Sequence, residues 1–229
     1  HINIYAQWNS MYIGTCQLFS GIHCPTDNTC YIVGHYGYVA KSIDQAATWT
    51  ELASPTIKNI TDCFFTDSIT GYACVQDVLL LKTINGGISW DTLNTPDSFS
   101  NFFWSIKFTN SLTGYVAGAY GAFYKTTNAG ASWTKINISN AGSLGNLQFV
   151  NDSVGYMSNG GGYNKKTTNA GLYWQNLNIT GFSSNTTALH FPNSNYGYAI
   201  SGAGECSRTK DGGATWNIIS YVTSIDSND

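Results

Sequence analysis

The octet TKDGGATW, Thr209 to Trp216, is one of five variants of the same phrase in this 229-residue chain. The others are SIDQAATW (Ser42–Trp49), TINGGISW (Thr83–Trp90), TTNAGASW (Thr126–Trp133) and TTNAGLYW (Thr167–Trp174). Each opens on Ser or Thr and closes on Trp. The third position is Asp44, Asn85, Asn128, Asn169 or Asp211. Successive tryptophans stand 41, 43, 41 and 42 residues apart. A fixed period near 42 residues restricts the chain to architectures in which each repeat buries its apolar faces against its neighbours.

The period extends upstream of the octet. Four segments read apolar stretch, polar turn, Gly-Tyr: FFTDSITGYAC (64–74), KFTNSLTGYVAG (107–118), QFVNDSVGYMSN (148–159) and HFPNSNYGYAIS (190–201). In each, a Phe precedes the Gly by six residues, as Phe65 precedes Gly71 and Phe191 precedes Gly197. The first unit has Cys24 and Cys30 at those two places. No segment shows a useful helical period. Each unit reads instead as four short strands: one ends at the Phe, the second begins at Gly-Tyr, the third runs into the octet and the fourth leaves from its Trp. Four strands in about 42 residues is the signature of a propeller blade. The fold class is therefore all-β, a β-propeller of about five four-stranded blades near 13–53, 54–94, 95–137, 138–178 and 179–222, with a tail at 223–229. QWNSM (7–11) repeats the fourth-strand pattern, with Trp8 standing 41 residues before Trp49, which predicts a spare strand over 4–12. A closed five-bladed ring is the expected arrangement, with a removed preceding blade as the alternative.

In this reading the octet is the hairpin between strands three and four. Its Asp or Asn accepts hydrogen bonds from the turn's N–H groups, and its Trp buries apolar area beneath. The octet resembles the Asp-box, or BNR repeat, of sialidases, sortilin-type propellers and photosystem assembly factors of the Ycf48 type. The wider pattern, F-x-[DN]-S-x-x-G-Y followed by K-T-[ST]-[DN]-x-G-x-[ST]-W, looks most like the Ycf48-like family over roughly residues 16–220. That resemblance implies a propeller that assembles with proteins. The sialidase resemblance would imply three arginines clamping a substrate carboxylate. Arg208 is the only arginine, so that activity is excluded.

Composition narrows the chemistry. Charged residues make up 10% of the chain and the net charge is −3, which disfavours nucleic acid and anionic membranes as partners. No apolar run is long enough to insert into a membrane as a helix. The chain begins at His1 without Met and shows no signal peptide, so a processed or trimmed product is expected. No phosphate loop, zinc motif or nucleophile elbow occurs, and no cofactor or metal is expected. The six cysteines are even in number. Cys24 with Cys30 and Cys63 with Cys74 are the candidate disulfides, buried free thiols being the other reading; bonded, they favour an extracytoplasmic place, secreted, periplasmic or at the cell surface.

Three groups of residues are candidate functional sites. The connections between blades vary in sequence, and one carries Phe99, Phe102, Phe103 and Trp104. Trp104 is out of phase with the repeat, its equivalents being Thr61 and Gly145. Such an aromatic cluster suits a partner's pocket or a sugar ring, and otherwise plugs the central channel. Tyr36 and Tyr120, in the turns GHYG and GAYG, join the same face. The second group is the ring of Lys41, Lys82, Lys125, Lys166 and Arg208, each immediately before its octet, either holding carbonyls of the scaffold or docking an acidic partner. The third is Asp77 and Glu205, the leftover carboxylates for glycoside hydrolysis. The expected function is a non-catalytic module binding another protein, in assembly or surface adhesion. A lectin-like carbohydrate-binding module is the alternative, and a glycoside hydrolase comes third.

Overall fold

The computed structural model describes residues 18–77, 79–95, 102–139, 142–158, 162 and 164–221. The spare strand expected over 4–12, Cys16 and Phe99 lie outside them. Within them the chain forms five antiparallel sheets of four strands, each in simple sequence order. The first blade is β1 (Phe19–His23), β2 (Cys30–Gly34), β3 (Val39–Ser42) and β4 (Thr50–Glu51). The second is β5 (Ile60–Phe65), β6 (Gly71–Val75), β7 (Leu79–Thr83) and β8 (Asp91–Leu93). The third is β9 (Phe103–Phe108), β10 (Gly114–Gly118), β11 (Phe123–Thr126) and β12 (Thr134–Lys135). The fourth is β13 (Gly145–Phe149), β14 (Gly155–Ser158), β15 (Lys165–Thr167) and β16 (Gln175–Asn176). The fifth is β17 (Thr186–His190), β18 (Gly197–Ser201), β19 (Glu205–Thr209) and β20 (Asn217–Tyr221).

The octets are the hairpins between third and fourth strands, and their chemistry explains the conserved spacing of residue types. In the third blade Asn128 Oδ1 accepts the Ser132 N–H at 2.9 Å, while Thr126 Oγ1 accepts the Gly130 N–H at 3.0 Å. Asp44 and Asp211 do the same and also accept the Thr48 and Thr215 hydroxyls at 2.5 Å. The octet thus satisfies part of its own backbone through its own side chains. The spacing of Phe and Gly is a contact. A Cβ at Gly71, Gly114, Gly155 or Gly197 would run into the ring of the Phe six residues earlier. That ring in turn stands edge-on to the octet Trp of its own blade, as Phe108 does to Trp133 at 6.2 Å and 83°.

The core consists of four slabs, each between two consecutive blades. Tyr31, Val33 and Val39 of the first blade meet Ile60, Cys63 and Phe65 of the second. Tyr72, Cys74 and Leu80 of the second meet Phe103, Ile106 and Phe108 of the third. The same pairing joins the third blade to the fourth and the fourth to the fifth. First strands of neighbouring blades lie side by side, β1 on β5, β5 on β9 and β9 on β13, so they form the inner edge of the arc. The expected closed ring is not completed by the described residues. Tyr198 and Ile200, on the fifth blade's outward face, are exposed, as is Ile22 on the first.

One cysteine pairing needs correction. Cys24 and Cys30 are bonded, replacing the Phe-over-Gly contact in the first blade. Cys63 and Cys74 are free, buried thiols. Register is the reason: Cys63 stands opposite Ala73, and Cys74 opposite Asp62. One residue of offset sends the two side chains to opposite faces of the sheet, Cys63 into the first slab and Cys74 into the second. Burial pushes both thiols well above their ordinary range, which makes them inert.

Candidate functional site

The end of the blades that carries the strand-two-to-three turns is built from short tight turns. His35–Gly37 and Ala119–Gly121 are single 3-10 turns whose tips, Tyr36 and Tyr120, have φ of 55° and 53°. A left-handed tyrosine at a turn tip holds its ring out into solvent, and both are exposed. The residue that leads into the blade's first strand is tied beneath each turn. The Ala119 N–H donates to the Phe102 carbonyl at 2.8 Å, and the His35 N–H donates to that of Leu18 at 2.9 Å.

This tie places Phe102 at the entrance to β9, below Tyr120. Phe102 precedes β9, and Trp104 sits where β9 shifts register against β10, between Phe103 and Ser105. The Phe102 and Trp104 rings stack with centroids 5.8 Å apart at 27°. Trp104 is 44% exposed. It occupies the inner-edge position at which Thr61 donates its hydroxyl to the Phe103 carbonyl at 2.7 Å and Ser20 donates to that of Ile60. Trp104 has no hydroxyl to bridge to the fourth blade, and Gly145 beside it offers no side chain. Trp104 therefore lacks this side-chain bridge. Phe103 is a correction: it points to the opposite face, is buried and meets Tyr124 edge-on at 5.7 Å. Its register equivalents are Ile60 and Leu144, both core residues, so the repeat itself carried that signal.

The cations before the octets hold neighbouring blades together. Lys82 Nζ donates to the Ala129 carbonyl at 2.9 Å, Lys125 to that of Ala170 at 2.8 Å and Lys166 to that of Gly212 at 2.8 Å. Each acceptor belongs to the octet of the following blade. Lys41, Lys82, Lys125 and Lys166 also lie over the Tyr ring of their own second strand, at 5.2 to 5.6 Å. These lysines are engaged in the scaffold rather than displayed to an acidic partner. Arg208 stands at the same register beside Tyr198, with no following blade among the described residues.

The two leftover carboxylates also have structural duties. Glu205 is buried. It accepts the Ser183 N–H at 2.9 Å and the Ser201 hydroxyl at 2.6 Å, tying the connection into the fifth blade to its hairpin. Those bonds, from Ser201 first and Ser183 next, hold its carboxyl below the usual range, which suits an acceptor and not a general acid. Asp77 is exposed in the second blade and pairs with Lys58 at 3.1 Å. The two thus sit three blades apart and do not form a facing pair.

Sequence reasoning passed over His23, Asp62 and Lys107. Lys107 of the third blade pairs with Asp62 of the second at 2.9 Å, and Asp62 also accepts the Ser105 hydroxyl and the Ile106 N–H, both at 3.1 Å. His23 Nδ1 accepts the Phe65 N–H at 3.2 Å, and its ring lies 4.1 Å from that of Phe64. Burial, and then the Lys107 charge, lower its pKa to about 4. His23 is a neutral acceptor stitching the first blade to the second, a role that no spacing in the sequence announces. Among the described residues no three His, Cys, Asp or Glu side chains gather as a metal site, and no helix is long and apolar enough to cross a membrane.

Residues 40–180 match the family model described as photosynthesis system II assembly factor YCF48. No curated protein matches the chain. Among solved structures, YCF48 bound to D1 peptide is similar at 18% identity and a TM-score of 0.56, over 93% of this chain and 86% of that one. YCF48 from Cyanidioschyzon merolae is similar at 14% identity and a TM-score of 0.66, over 93% of this chain and 88% of that one. The GH74 enzyme of Niastella koreensis is similar at 20% identity and a TM-score of 0.72, over 87% of this chain but 38% of the enzyme. At these identities the structural likenesses establish the propeller fold.

Proposed function

The chain belongs to the Ycf48 assembly-factor family, and on that premise we propose that it is a non-catalytic, extracytoplasmic β-propeller that binds another protein. The observation that carries the reading is the stacked pair Phe102 and Trp104 on the inner edge, with Tyr120 at the adjoining turn. An indole half open to water and backed by a second ring at the start of a strand has the makings of a binding hot spot. The solved YCF48 that holds a D1 peptide supports a peptide segment as the occupant. The Cys24–Cys30 disulfide supports an oxidising compartment. The engagement of Glu205 and Asp77 elsewhere supports a module without hydrolytic chemistry.

The same pair of rings would suit a sugar face, which keeps carbohydrate as the second reading. Two assays separate them. The protein is immobilised and challenged with an array of overlapping peptides from membrane and envelope proteins of its source, and in parallel with a glycan array. Saturable binding to peptides rich in apolar residues supports the proposal. Binding confined to glycans overturns it in favour of a lectin.

A further inference from the structure

Along the inner edge, one hydrogen bond recurs between neighbouring blades. The acceptor is the residue just before Cys24 or Phe149, and the donor is the N–H of the next blade's Phe. The Phe65 N–H donates to His23 Nδ1 at 3.2 Å, and the Phe191 N–H donates to Gln148 Oε1 at 2.9 Å. His23 and Gln148 hold the same register, opposite Tyr31 and Tyr156. In the second blade that register belongs to Phe64, opposite Tyr72, and a phenyl ring has no such acceptor to offer. Phe108 stands opposite Gly114 as Phe65 stands opposite Gly71, so its N–H leaves the ladder in the same direction. It meets a ring where its equivalents meet an acceptor. Phe108 is 6% exposed, and an N–H buried to that degree is destabilising until something accepts from it.

The broken stitch opens onto a pocket of about 300 Å³, whose walls include His23, Phe64, Thr66, Phe108, Thr109 and Ser111. That volume is at the small end of the range for ligand sites. The pocket lies at the end of the first three blades that carries the turns between first and second strands. Phe102 and Trp104 stand at the other end, at the start of β9, which Phe108 closes. The walls combine rings with donors. His23 uses Nδ1 to accept the Phe65 N–H, so its Nε2 carries the ring proton and donates. Lys107 turns back to Asp62 and holds its ammonium 5.9 Å from the centre of the Phe64 ring. Among the described residues that line the pocket there is no carboxylate. Asp62, beside it, already accepts from Lys107, the Ser105 hydroxyl and the Ile106 N–H.

We propose that this pocket binds a small carboxylic acid with a flat apolar body. The carboxylate accepts the Phe108 N–H, in the place that His23 Nδ1 and Gln148 Oε1 take at the other two interfaces, and the body lies against the Phe64 ring. An ionised acceptor suits the site better than a neutral one, because the His23 N–H and the Lys107 charge adjoin the same space. A cationic ligand would find no carboxylate in the walls. The site is separate from the peptide site proposed at Trp104, and either reading can fail without the other.

The probe is benzoate, titrated into isotope-labelled protein and followed by amide spectra, with benzyl alcohol as the ring without the carboxylate. Benzoate should move the Phe108 amide signal saturably, and benzyl alcohol should not. Phe64→Gln copies Gln148 and supplies the missing acceptor from within. It should weaken benzoate binding by roughly tenfold or more while the melting temperature holds or rises. A second readout needs no variant. The Phe108 amide should exchange with deuterated water roughly tenfold faster than those of Phe65 and Phe191, and saturating benzoate should remove the difference. Four results would overturn the proposal. One is a Phe108 amide that benzoate leaves in place. Another is benzyl alcohol binding as tightly as benzoate, which means an apolar cleft only. The third is a folded Phe64→Gln protein that binds benzoate like the parent. The fourth is equal exchange at the three amides, which means that the protein itself meets the Phe108 N–H. If Phe64→Gln fails to fold, the titration and the exchange of the parent protein decide.

Discussion

Tyr72 lies flat on Phe108 of the following blade, with ring centroids 4.0 Å apart at 20°, and its hydroxyl donates to the Ala129 carbonyl at 3.0 Å. One side chain thus joins two blades by stacking and by a hydrogen bond to the octet that ends the neighbour's third strand. Tyr72→Ala should cost about 3–5 kcal/mol of stability, the range for a buried aromatic truncation. Tyr72→Phe should cost only about 1 kcal/mol, because the Ala129 carbonyl keeps its bond from Lys82. Urea melts of the two variants check the split. Equal costs would mean that the hydroxyl, not the ring, holds the interface.

The fold could be read from the sequence because its determinants are local and periodic. The octet's own side chains bind its turn, and the Phe sits over a Gly six residues on in the same hairpin. What joins the blades was harder to read. The stacking of Tyr72 on Phe108 is a contact between different repeats, so the phase of Gly-Tyr was visible while its purpose was not. For the lysines the sequence offered carbonyl-holding beside docking, and the reach of Lys82 to the Ala129 carbonyl answers to the first. The pairing of Cys63 with Cys74 failed by one residue of register, which a period-2 structure turns into opposite faces. Burial likewise separates Trp104, which is exposed, from Phe103, which is in the core. Treating both as one aromatic cluster overlooked that Phe103 shares its register with Ile60.

The lysines give a prediction that distinguishes scaffold from docking ring. Lys125→Met keeps the aliphatic stem over Tyr115 but loses the hydrogen bond to the Ala170 carbonyl. It should lower stability by about 1–2 kcal/mol in thermal or chemical melts. It should leave binding of the partner unchanged in titrations carried out below the variant's melting temperature. A variant of full stability that fails to bind would return this ring to the functional surface.

Acid should act on the fold in two windows. His23 is held neutral at a pKa of about 4, below its ordinary 6.5, so the unfolded chain takes up the proton first. Its contribution is complete above about pH 6.5 and is lost as the pH falls towards 4. The Asp44 carboxyl is held at about 2 by the Thr48 hydroxyl, the Thr48 N–H and the Ser42 hydroxyl, and Asp211 is held low by Thr215 and Thr209 in the same way. Their contributions are present above about pH 4 and are lost between 4 and 2. Melting temperatures recorded from pH 7 to 2 should fall in both windows. His23→Phe, which copies Phe64 at the same register, should flatten the upper window. Asp44→Asn with Asp211→Asn, which copies the other three octets, should flatten part of the lower one. Unchanged profiles would show that these groups do not carry the acid response.

Trp104 and Phe103 are neighbours in sequence with opposite expectations. Phe103 is buried between the second and third blades among Tyr72, Ile106 and Tyr124, so Phe103→Ala should cost about 3–5 kcal/mol of stability. Trp104 is half open, touches Phe102 and bridges to no following blade, so Trp104→Ala should leave the melting temperature within about 2 °C of the parent. Its loss should be felt on a ligand, because a ring already stacked and oriented in the free protein binds with little ordering cost. Truncation of such an anchor typically weakens binding by about 2 kcal/mol, near thirtyfold in Kd. Phe102→Ala, which removes the ring behind it, should weaken binding less and in the same direction. The measurement is a peptide titration by calorimetry on the two variants alongside their melts. If Trp104→Ala binds like the parent and melts far lower, the indole is part of the packing of the inner edge, and the binding surface lies instead at the exposed turn tips of Tyr36 and Tyr120.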